Sequence, residues 1–396
     1  MTLGLYISVP FCRTKCSYCN FASGVFSRAM FGPYIDRICA DIEDAPQFAE
    51  RLGARFERAV DSIYLGGGTP TVLDAAQLER LFVAIRQNFD IQSGSEITVE
   101  CAPGTLTPAV LEALLRCGVN RVSLGVQSFV DQEASAVGRQ HERATVVDDI
   151  AHLHAAGITN VNIDLIAGLP HQTDESWDFS LAETLATGVP HVSVYMLEVD
   201  DDSRLGRELI AGGTRYHAHF VPDDDATADF YMAACERLDA AGVRQYEISN
   251  FARDGFESRH NLKYWTRQPY LGFGVDAHSM LKGDLVSEKV DGIRFSKPDS
   301  LENYIAAKPI QQTPVTHREA LEETFFLGLR LARGVDLAQT TEAFGAGAIE
   351  PFLHTIHDFH QDGLIARTGD VIRLTSRGRL LSNEVFERFI TSPERV

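Results

Sequence analysis

Three cysteines, Cys12, Cys16 and Cys19, stand in the stretch VPFCRTKCSYCNF, residues 9 to 21, with the spacing C-x3-C-x2-C. Thiolates hold zinc and iron–sulfur clusters. A closed zinc site takes four ligands, and Asn20, Phe21 and Ala22 follow Cys19 with no fourth Cys or His beside the loop. A [4Fe-4S] cluster ordinarily takes four thiolates, so three leave one iron open, and an open metal position is where a substrate or cofactor binds. The residues alone leave both readings standing: an open cluster, or a zinc-thiolate site completed by a remote ligand. Cys39, Cys101, Cys117 and Cys235 are scattered among apolar neighbours and read as small buried hydrophobes. Seven cysteines, an odd number, argue against a disulfide framework in a reducing compartment.

The loop needs a scaffold to present it. Apolar runs at residues 3–11, 62–70, 96–103, 121–129, 161–170 and 191–199 read as six strands, near-continuously apolar rather than alternating. Between them, residues 75–89, 108–118 and 144–157 carry apolar residues at helical spacing, two of them ending on glycine. Strand–helix–strand repetition with strands covered on both faces predicts a parallel sheet of right-handed crossovers, either open and doubly wound or curled into a barrel. In both, ligands gather at the carboxyl ends of the strands. There the sequence places the cysteine loop, Gly66, Gly67, Gly68, Thr69 and Pro70 after the second strand, Glu100 after the third and Gln127 after the fourth, with Asp164 on the fifth.

Composition narrows the rest. Of 396 residues 44% are hydrophobic and 23% charged, ordinary globular usage with room for a large α/β domain and a smaller one. No apolar run reaches the roughly 18 residues of a membrane span, and the N-terminal stretch lacks a basic start and a small-residue cleavage site, so a cytoplasmic protein is expected. A net charge of −19 opposes binding to nucleic acid or anionic lipid through bulk electrostatics. Peripheral contact with a membrane is left open.

C-x3-C-x2-C after a first strand, with GGGTP after the second, resembles the radical S-adenosylmethionine (SAM) superfamily. The resemblance implies a partial (β/α)6 barrel whose [4Fe-4S] cluster, on Cys12, Cys16 and Cys19, chelates the amino and carboxylate groups of SAM and cleaves it to a 5′-deoxyadenosyl radical. By the same match Tyr6, Gly67, Gly68, Thr69, Glu100, Gln127, Arg139 and Asp164 are SAM contacts. The chemistry is compatible: glycines let a backbone approach closely, Glu100 offers acceptors to ribose hydroxyls, and Arg139 suits a carboxylate. A buried Asp164 serves a ligand contact or a structural network equally well.

The likeness continues through RVSLGVQSF, NIDLIAGLPHQT and YEISNFARDGFESRHNLKYW, about 280 residues, and is similar to the branch containing oxygen-independent coproporphyrinogen III oxidase and the heme chaperone HemW. Phe21 stands where the oxidase pattern has a fourth cysteine, only eleven residues precede Cys12, and HNLKYW, residues 260–265, matches the HNxxYW signature associated with heme in the chaperone. Ser8 stands where both relatives usually show histidine. The resemblance therefore implies a heme chaperone that delivers heme to an acceptor protein. The alternatives are the oxidase, decarboxylating porphyrinogen propionates, and a non-catalytic zinc-thiolate protein. His260 is the expected heme ligand, with Tyr264 and Trp265 against the macrocycle at the barrel rim beside the cluster; His217, His219 and His278 are further candidates.

The barrel with its heme segment is expected over residues 1–280 and a helical, winged-helix-like domain over 300–396. In the latter, helices at 319–334 and 343–363 precede a hairpin at 364–375 and a last helix at 376–390. From residue 301 onward 10 Lys and Arg face 13 Asp and Glu, which favours packing or partner docking over DNA binding.

Overall fold

Six parallel strands stand side by side in chain order: β1 (Leu3–Val9), β2 (Ala59–Gly67), β3 (Asp90–Cys101), β4 (Arg121–Gln127), β5 (Asn160–Ala167) and β6 (His191–Met196). The computed structural model describes residues 2–283 and 290–390. An unbroken order means that every crossover steps the same way, so right-handed crossovers lay all the intervening helices on one face. A doubly wound sheet reverses direction and covers both faces. The sheet is therefore a partial (β/α)6 barrel.

It is extended at both edges. β7 (Arg244–Gln245) and β8 (Asn250–Ala252) add antiparallel beyond β6. On the other side β9 (Tyr270–Phe273) pairs parallel with β1, followed by antiparallel β10 (His278–Lys282), β11 (Val290–Ser296) and β12 (Gln311–Thr316). Twelve strands form this open sheet, with no closed barrel among the described residues.

The strands alternate, contrary to the near-continuous apolar reading. Leu5, Ile7, Ile63, Leu65, Ile97, Val99, Val122, Leu124, Val161, Ile163, Val192 and Val194 enter the apolar core beneath the helices. Between them Ser62, Tyr64, Thr98, Glu100, Arg121, Ser123, Asn162, Asp164, His191 and Ser193 face the opposite way, into the concave side. Only one face is covered by helices. The other is a polar interior whose members bond to one another: Asn162 Nδ2 donates to Ser123 Oγ (2.6 Å), Asp164 Oδ1 (2.8 Å) and Ser193 Oγ (3.0 Å).

The helices behave as their sequences direct. Ala75–Asn88 opens with a capping box between Asp74 and Gln77. Pro108–Cys117 has Thr107 as N-cap, Pro108 in its first turn and Gly118 at φ +81° as its stop. Arg143–Ala155 falls where the third helical pattern does.

At the C-terminal end the helices His317–Gly328, Leu337–Phe344 and Ala346–Gln361 accompany a three-stranded sheet of β13 (Val335–Asp336), which falls between the first two helices, and β14 (Ile365–Thr368) and β15 (Val371–Leu374), which follow the third, the arrangement of a winged helix. The helix expected at 319–334 ends at Gly328, the one expected at 343–363 starts after a break at Gly345 (φ +88°), and the last divides into Ser376–Leu380 and Ser382–Glu387. This unit has its own core around Phe325, Phe352, Phe359, Ile372 and Phe389. Residues 300–316, assigned by sequence to the small domain, instead continue the large one: Leu301 and Tyr304 join its core and β12 its sheet. Residues 391–396 of the expected small domain lie outside the described residues.

Candidate cluster and cofactor site

The cysteine loop leaves β1 and folds back on itself. Cys12 N–H donates to Gly24 O (2.9 Å) and Gly24 N–H to Pro10 O (2.8 Å). Lys15 Nζ crosses the loop to Phe21 O (2.9 Å) and Ser23 O (2.7 Å). Ser17 N–H anchors it to Val137 O (3.1 Å), and Leu205 N–H donates to Ser17 O (2.9 Å), bringing the helix Arg204–Ala211 against it. All three thiols are half-buried. Cys12 Sγ lies 3.9 Å from Thr69 Oγ1 and Cys19 Sγ 3.7 Å from Ser23 Oγ. Burial pushes the Cys12 thiol up, and the hydroxyls of Thr69 and Ser23 oppose that by stabilising the thiolate. Among the described residues no three His, Cys, Asp or Glu side chains converge as ligands of one metal ion. An iron–sulfur cluster is ligated through several separate irons and does not ask for that convergence. Three thiols on one hydrogen-bonded loop, next to hydroxyl donors, fit a cluster.

The glycine run is locked to that loop. Gly68 N–H donates to Val9 O and Thr69 N–H to Phe11 O, both at 2.8 Å. A Cβ on Gly68 would sit 2.8 Å from each of those carbonyl oxygens, and one on Gly66 would meet the Glu100 carboxylate at 2.8 Å. Gly67 adopts φ +103°, a conformation that only glycine takes without strain. The glycines expected to make room for a ligand thus make room first for the protein's own backbone and for Glu100.

Glu100 accepts from Tyr64 OH (2.9 Å) and from Gly67 N–H (3.2 Å). Burial, with the Asp164 charge adding to it, raises its pKa to about 7 against the pull of those donors and of Arg121. Asp164 accepts from Ser123 Oγ (3.0 Å) and Asn162, so it belongs to the interior network. Burial raises its pKa too. Arg139 is half-buried near Cys12, Cys16 and Asp164, and its Nε is buried without a hydrogen-bond partner among the described residues. An orphaned guanidinium donor next to thiols fits a ligand carboxylate. Gln127 ends β4 at φ +72°, where the β4–β5 register shifts. Tyr6 lies deeper on β1, its ring centroid 6.1 Å from that of Tyr64. A polar cavity of about 220 Å3 opens beside the loop, lined among others by Arg13, Thr69, Gly104, Arg139 and His141. The structure thus gathers Gly67, Gly68, Thr69, Glu100, Gln127, Arg139 and Asp164 at the carboxyl ends of the strands, with the cysteine loop above them.

HNLKYW lies elsewhere. It forms the helix Arg259–Trp265, whose amino end is held by Glu96, accepting from Arg259 N–H (3.0 Å) and His260 N–H (3.2 Å). Lys263 Nζ reaches Asp61 (2.8 Å) and Thr2 O (3.0 Å) at the starts of β1 and β2. The helix closes the barrel from the amino ends of its strands, and the His260 ring reaches inward as far as Tyr6 and Tyr64, 6.4 and 5.4 Å between ring centroids. His260 is fully buried, with Nδ1 3.0 Å from Ser62 Oγ and Nε2 2.8 Å from Tyr264 OH. Burial, with Lys263 and Arg121 adding to it, lowers its pKa to about 3. Tyr264 packs edge-on against His260 and Tyr270. Trp265 lies under the Arg330 guanidinium, 4.3 Å from its ring centroid, joining the barrel to the C-terminal unit. Both imidazole nitrogens of His260 have protein partners, and the segment lies towards the amino ends of β1 and β2 rather than at the carboxyl rim.

Of the other histidines, His278 stands on β10, exposed and 3.6 Å from Asp276. His219 is exposed, and His217 lies 3.1 Å from His171. Sequence reasoning missed Tyr64, Arg121 and the polar interior other than Glu100 and Asp164. The period-2 pattern in SIYLG, EITVEC, RVSLG and NIDL was the signal.

Residues 6–183 match the model of the radical SAM superfamily and residues 315–381 that of the HemN C-terminal domain. The chain is similar to heme chaperone HemW of Lactococcus lactis, 34% identical with 97% of this chain and 96% of the relative covered, and to heme chaperone HemW of Bacillus subtilis, 33% identical with 97% and 98% covered. Its structure is similar to that of the radical SAM enzyme coproporphyrinogen III oxidase HemN of Escherichia coli, with a TM-score of 0.82 and 25% identity over 98% of this chain and 90% of that one. A likeness to HemW proteins that runs nearly end to end, on a radical SAM fold whose cysteine loop and glycine run meet at one rim, makes the chain a member of the HemW family of the radical SAM superfamily.

Proposed function

We propose that the protein is a cytoplasmic heme chaperone that carries a [4Fe-4S] cluster on Cys12, Cys16 and Cys19, binds SAM at the carboxyl rim, and passes heme to an acceptor protein. The observation that carries this reading is the nearly full-length likeness to two proteins named heme chaperone, at 34% and 33% identity. When bound, the cluster supplies an open iron for the amino and carboxylate groups of SAM and an electron for its cleavage. The chain's own residues do the rest. Arg139 would meet the ligand carboxylate, Glu100 would take the ribose hydroxyls, and the backbone of Gly67 and Gly68 would hold the methionine moiety. Tyr6, Thr69, Gln127 and Asp164 complete that surface, Asp164 through Ser123 and Asn162. Among the described residues no helix is long and apolar enough to cross a membrane, and net charge does not favour nucleic acid.

The likeness in fold to the oxidase keeps a second reading, radical decarboxylation of porphyrinogen propionates. Anaerobically purified protein is analysed for iron and acid-labile sulfide, titrated with hemin, and assayed with coproporphyrinogen III, SAM and reductant. The chaperone reading expects cluster iron and sulfide, saturable hemin uptake and no protoporphyrinogen. Robust protoporphyrinogen formation transfers the assignment to the oxidase, and zinc in place of iron and sulfide ends both.

A further inference from the structure

A cavity of about 390 Å3 lies between the helix Phe31–Arg51 and residues 297–312, and it shares no residue with the cysteine loop, the glycine run or HNLKYW. The helix turns Arg37, Asp41, Asp44, Phe48 and Arg51 towards it, residues spaced alternately four and three apart and so on one continuous face. At its floor the Asp41 carboxylate accepts from Lys297 Nζ (3.1 Å), from the Tyr304 hydroxyl (2.9 Å) and from Arg37. The side chains of Asp41 and Lys297 are only 5% and 9% exposed. One buried carboxylate therefore balances two cations and leaves a positive charge over, while Arg37 Nε is buried with no hydrogen-bond partner among the described residues. An uncompensated charge held away from bulk water is costly until an anion joins it.

The walls add to that excess. Phe48 holds two cations in place, Lys297 Nζ 4.8 Å and the Arg51 guanidinium 5.6 Å from its ring centroid. Arg51 is balanced by Asp44, Nη1 lying 3.3 Å from Oδ1. Lys308 is exposed at the edge and makes no ion pair among the described residues. The chain brings it there by reversing after the helix Leu301–Ile305: Ala307 takes φ +54°, where glycine is the ordinary choice, and Lys308 N–H donates to Asn303 O (3.1 Å). The lining thus sets the cations Arg37, Arg51, Lys297 and Lys308 against the carboxylates Asp41 and Asp44, a local excess of positive charge in a chain of formal net charge −19. Leu52, Pro309 and Ile310 give the same cavity apolar wall.

These features select a ligand class. A phosphate monoester carries about −1.5 to −2 charges near neutral pH, which matches the excess, and its oxygens suit a guanidinium fork. A single carboxylate supplies half that charge. We propose that this cavity binds a phosphate monoester of a small organic group, with the phosphate on Arg37, Lys297 and Lys308 and the organic part against Leu52, Pro309 and Ile310. The site is separate from the cofactor rim and does not depend on the chaperone reading.

Calorimetric titration of the full-length protein with phenyl phosphate, inorganic phosphate and benzoate, with and without excess SAM, tests it. Phenyl phosphate should bind at one site with a Kd on the order of 1 mM or below, unchanged by SAM. It should bind about tenfold tighter than inorganic phosphate, which lacks the apolar body, or benzoate, which carries less charge. Lys308→Glu should weaken it about tenfold or more, with the unfolding midpoint, cluster absorbance and SAM affinity of the parent. Arg37→Gln should weaken it as well, and Asp44→Asn, which removes a competing carboxylate, should tighten it. Ile310→Ser should narrow the preference for phenyl phosphate over inorganic phosphate. The proposal is overturned if phenyl phosphate does not saturate, if SAM competes with it, if inorganic phosphate or benzoate binds as tightly, or if Lys308→Glu and Arg37→Gln both bind it as the parent does; none of these results touches the chaperone reading.

Discussion

The Tyr64 hydroxyl donates to Glu100 Oε1 at 2.9 Å while Glu100 Oε2 accepts the Gly67 amide at 3.2 Å, so one carboxylate links the barrel interior to the glycine run at its rim. Burial and the charge on Asp164 raise the Glu100 pKa to about 7 from the usual 4.5. A raised acid binds its proton more tightly in the fold than in the unfolded chain, so its contribution to stability is complete below about pH 4.5 and lost as pH rises through 7. Glu100→Gln removes that dependence. In SAM-free protein the stability of Glu100→Gln relative to the parent should therefore grow between pH 4.5 and 8, read as denaturation midpoints across that range. An offset constant with pH disproves the assignment.

Tyr64→Phe acts on the same carboxylate from the other side. It removes a donor to the charged form, so the Glu100 pKa rises further and the group stays protonated to higher pH. A hydrogen bond to a charged group contributes about 1.5–3 kcal/mol. SAM affinity should fall by roughly tenfold or somewhat more, and by more at pH 6.5 than at pH 8.5, where the carboxylate is again ionised. Calorimetric titration at the two pH values reads both effects; equal affinities in parent and variant sever Tyr64 from the site.

The cluster assignment makes a sharper demand. Alanine at Cys12, Cys16 or Cys19 should abolish the cluster absorbance after anaerobic reconstitution, each thiol being one of only three on the loop. Cys39→Ala and Cys235→Ala should retain it, since Cys39 packs in the helix Phe31–Arg51 and Cys235 in Asp224–Ala240. Retention in Cys16→Ala, or loss in Cys39→Ala, refutes this ligand set.

What the sequence displayed and what it concealed follow from distance along the chain. C-x3-C-x2-C and GGGTP were legible because each is one contiguous stretch at a strand end, where the parallel sheet must gather ligands. The alternation of polar and apolar residues was equally local but escaped notice, because Tyr6, Tyr64 and Thr98 fit a strand as readily as its apolar residues do. Strand order was legible only through the resemblance, which implies a partial (β/α)6 barrel: nothing local to β2 or β4 says that neighbours follow in sequence. HNLKYW was misplaced for the same reason. Its position comes from Glu96, 164 residues from His260, and from Thr2, 261 residues from Lys263. In the C-terminal unit the hairpin was readable from Gly369 and Asp370, whereas the break at Gly345 was submerged in an otherwise continuous helical pattern.

Gly68 is a position where a single methyl group should matter. Its Cβ would lie 2.8 Å from the carbonyl oxygens of Val9 and Phe11, both backbone atoms, so the cysteine loop itself must move. Gly68→Ala should lower cluster incorporation and SAM binding together. Gly347→Ala provides the contrast, in a helix with nothing within 4 Å of the new Cβ, and should stabilise by up to about 1 kcal/mol with the cluster unaffected. If Gly68→Ala reconstitutes as the parent does, the two backbones are not in the contact described.

His260 gives the fold an acid-stability signature. Its pKa, near 3 in the fold against the usual 6.5, means that the unfolded chain takes up a proton the folded one refuses between those values. The contribution to stability is therefore complete above about pH 6.5 and lost as pH falls towards 3, with a slope of up to about 1.4 kcal/mol per pH unit. His260→Gln keeps polar atoms near Ser62 Oγ and Tyr264 OH but does not charge, so its acid limb should be shallower by up to that slope. At pH 8, imperfect bonds to Ser62 and Tyr264 should cost roughly 1–3 kcal/mol. Denaturant unfolding at pH 5, 6.5 and 8 reads both, and a parent-like acid limb in His260→Gln disproves the assignment.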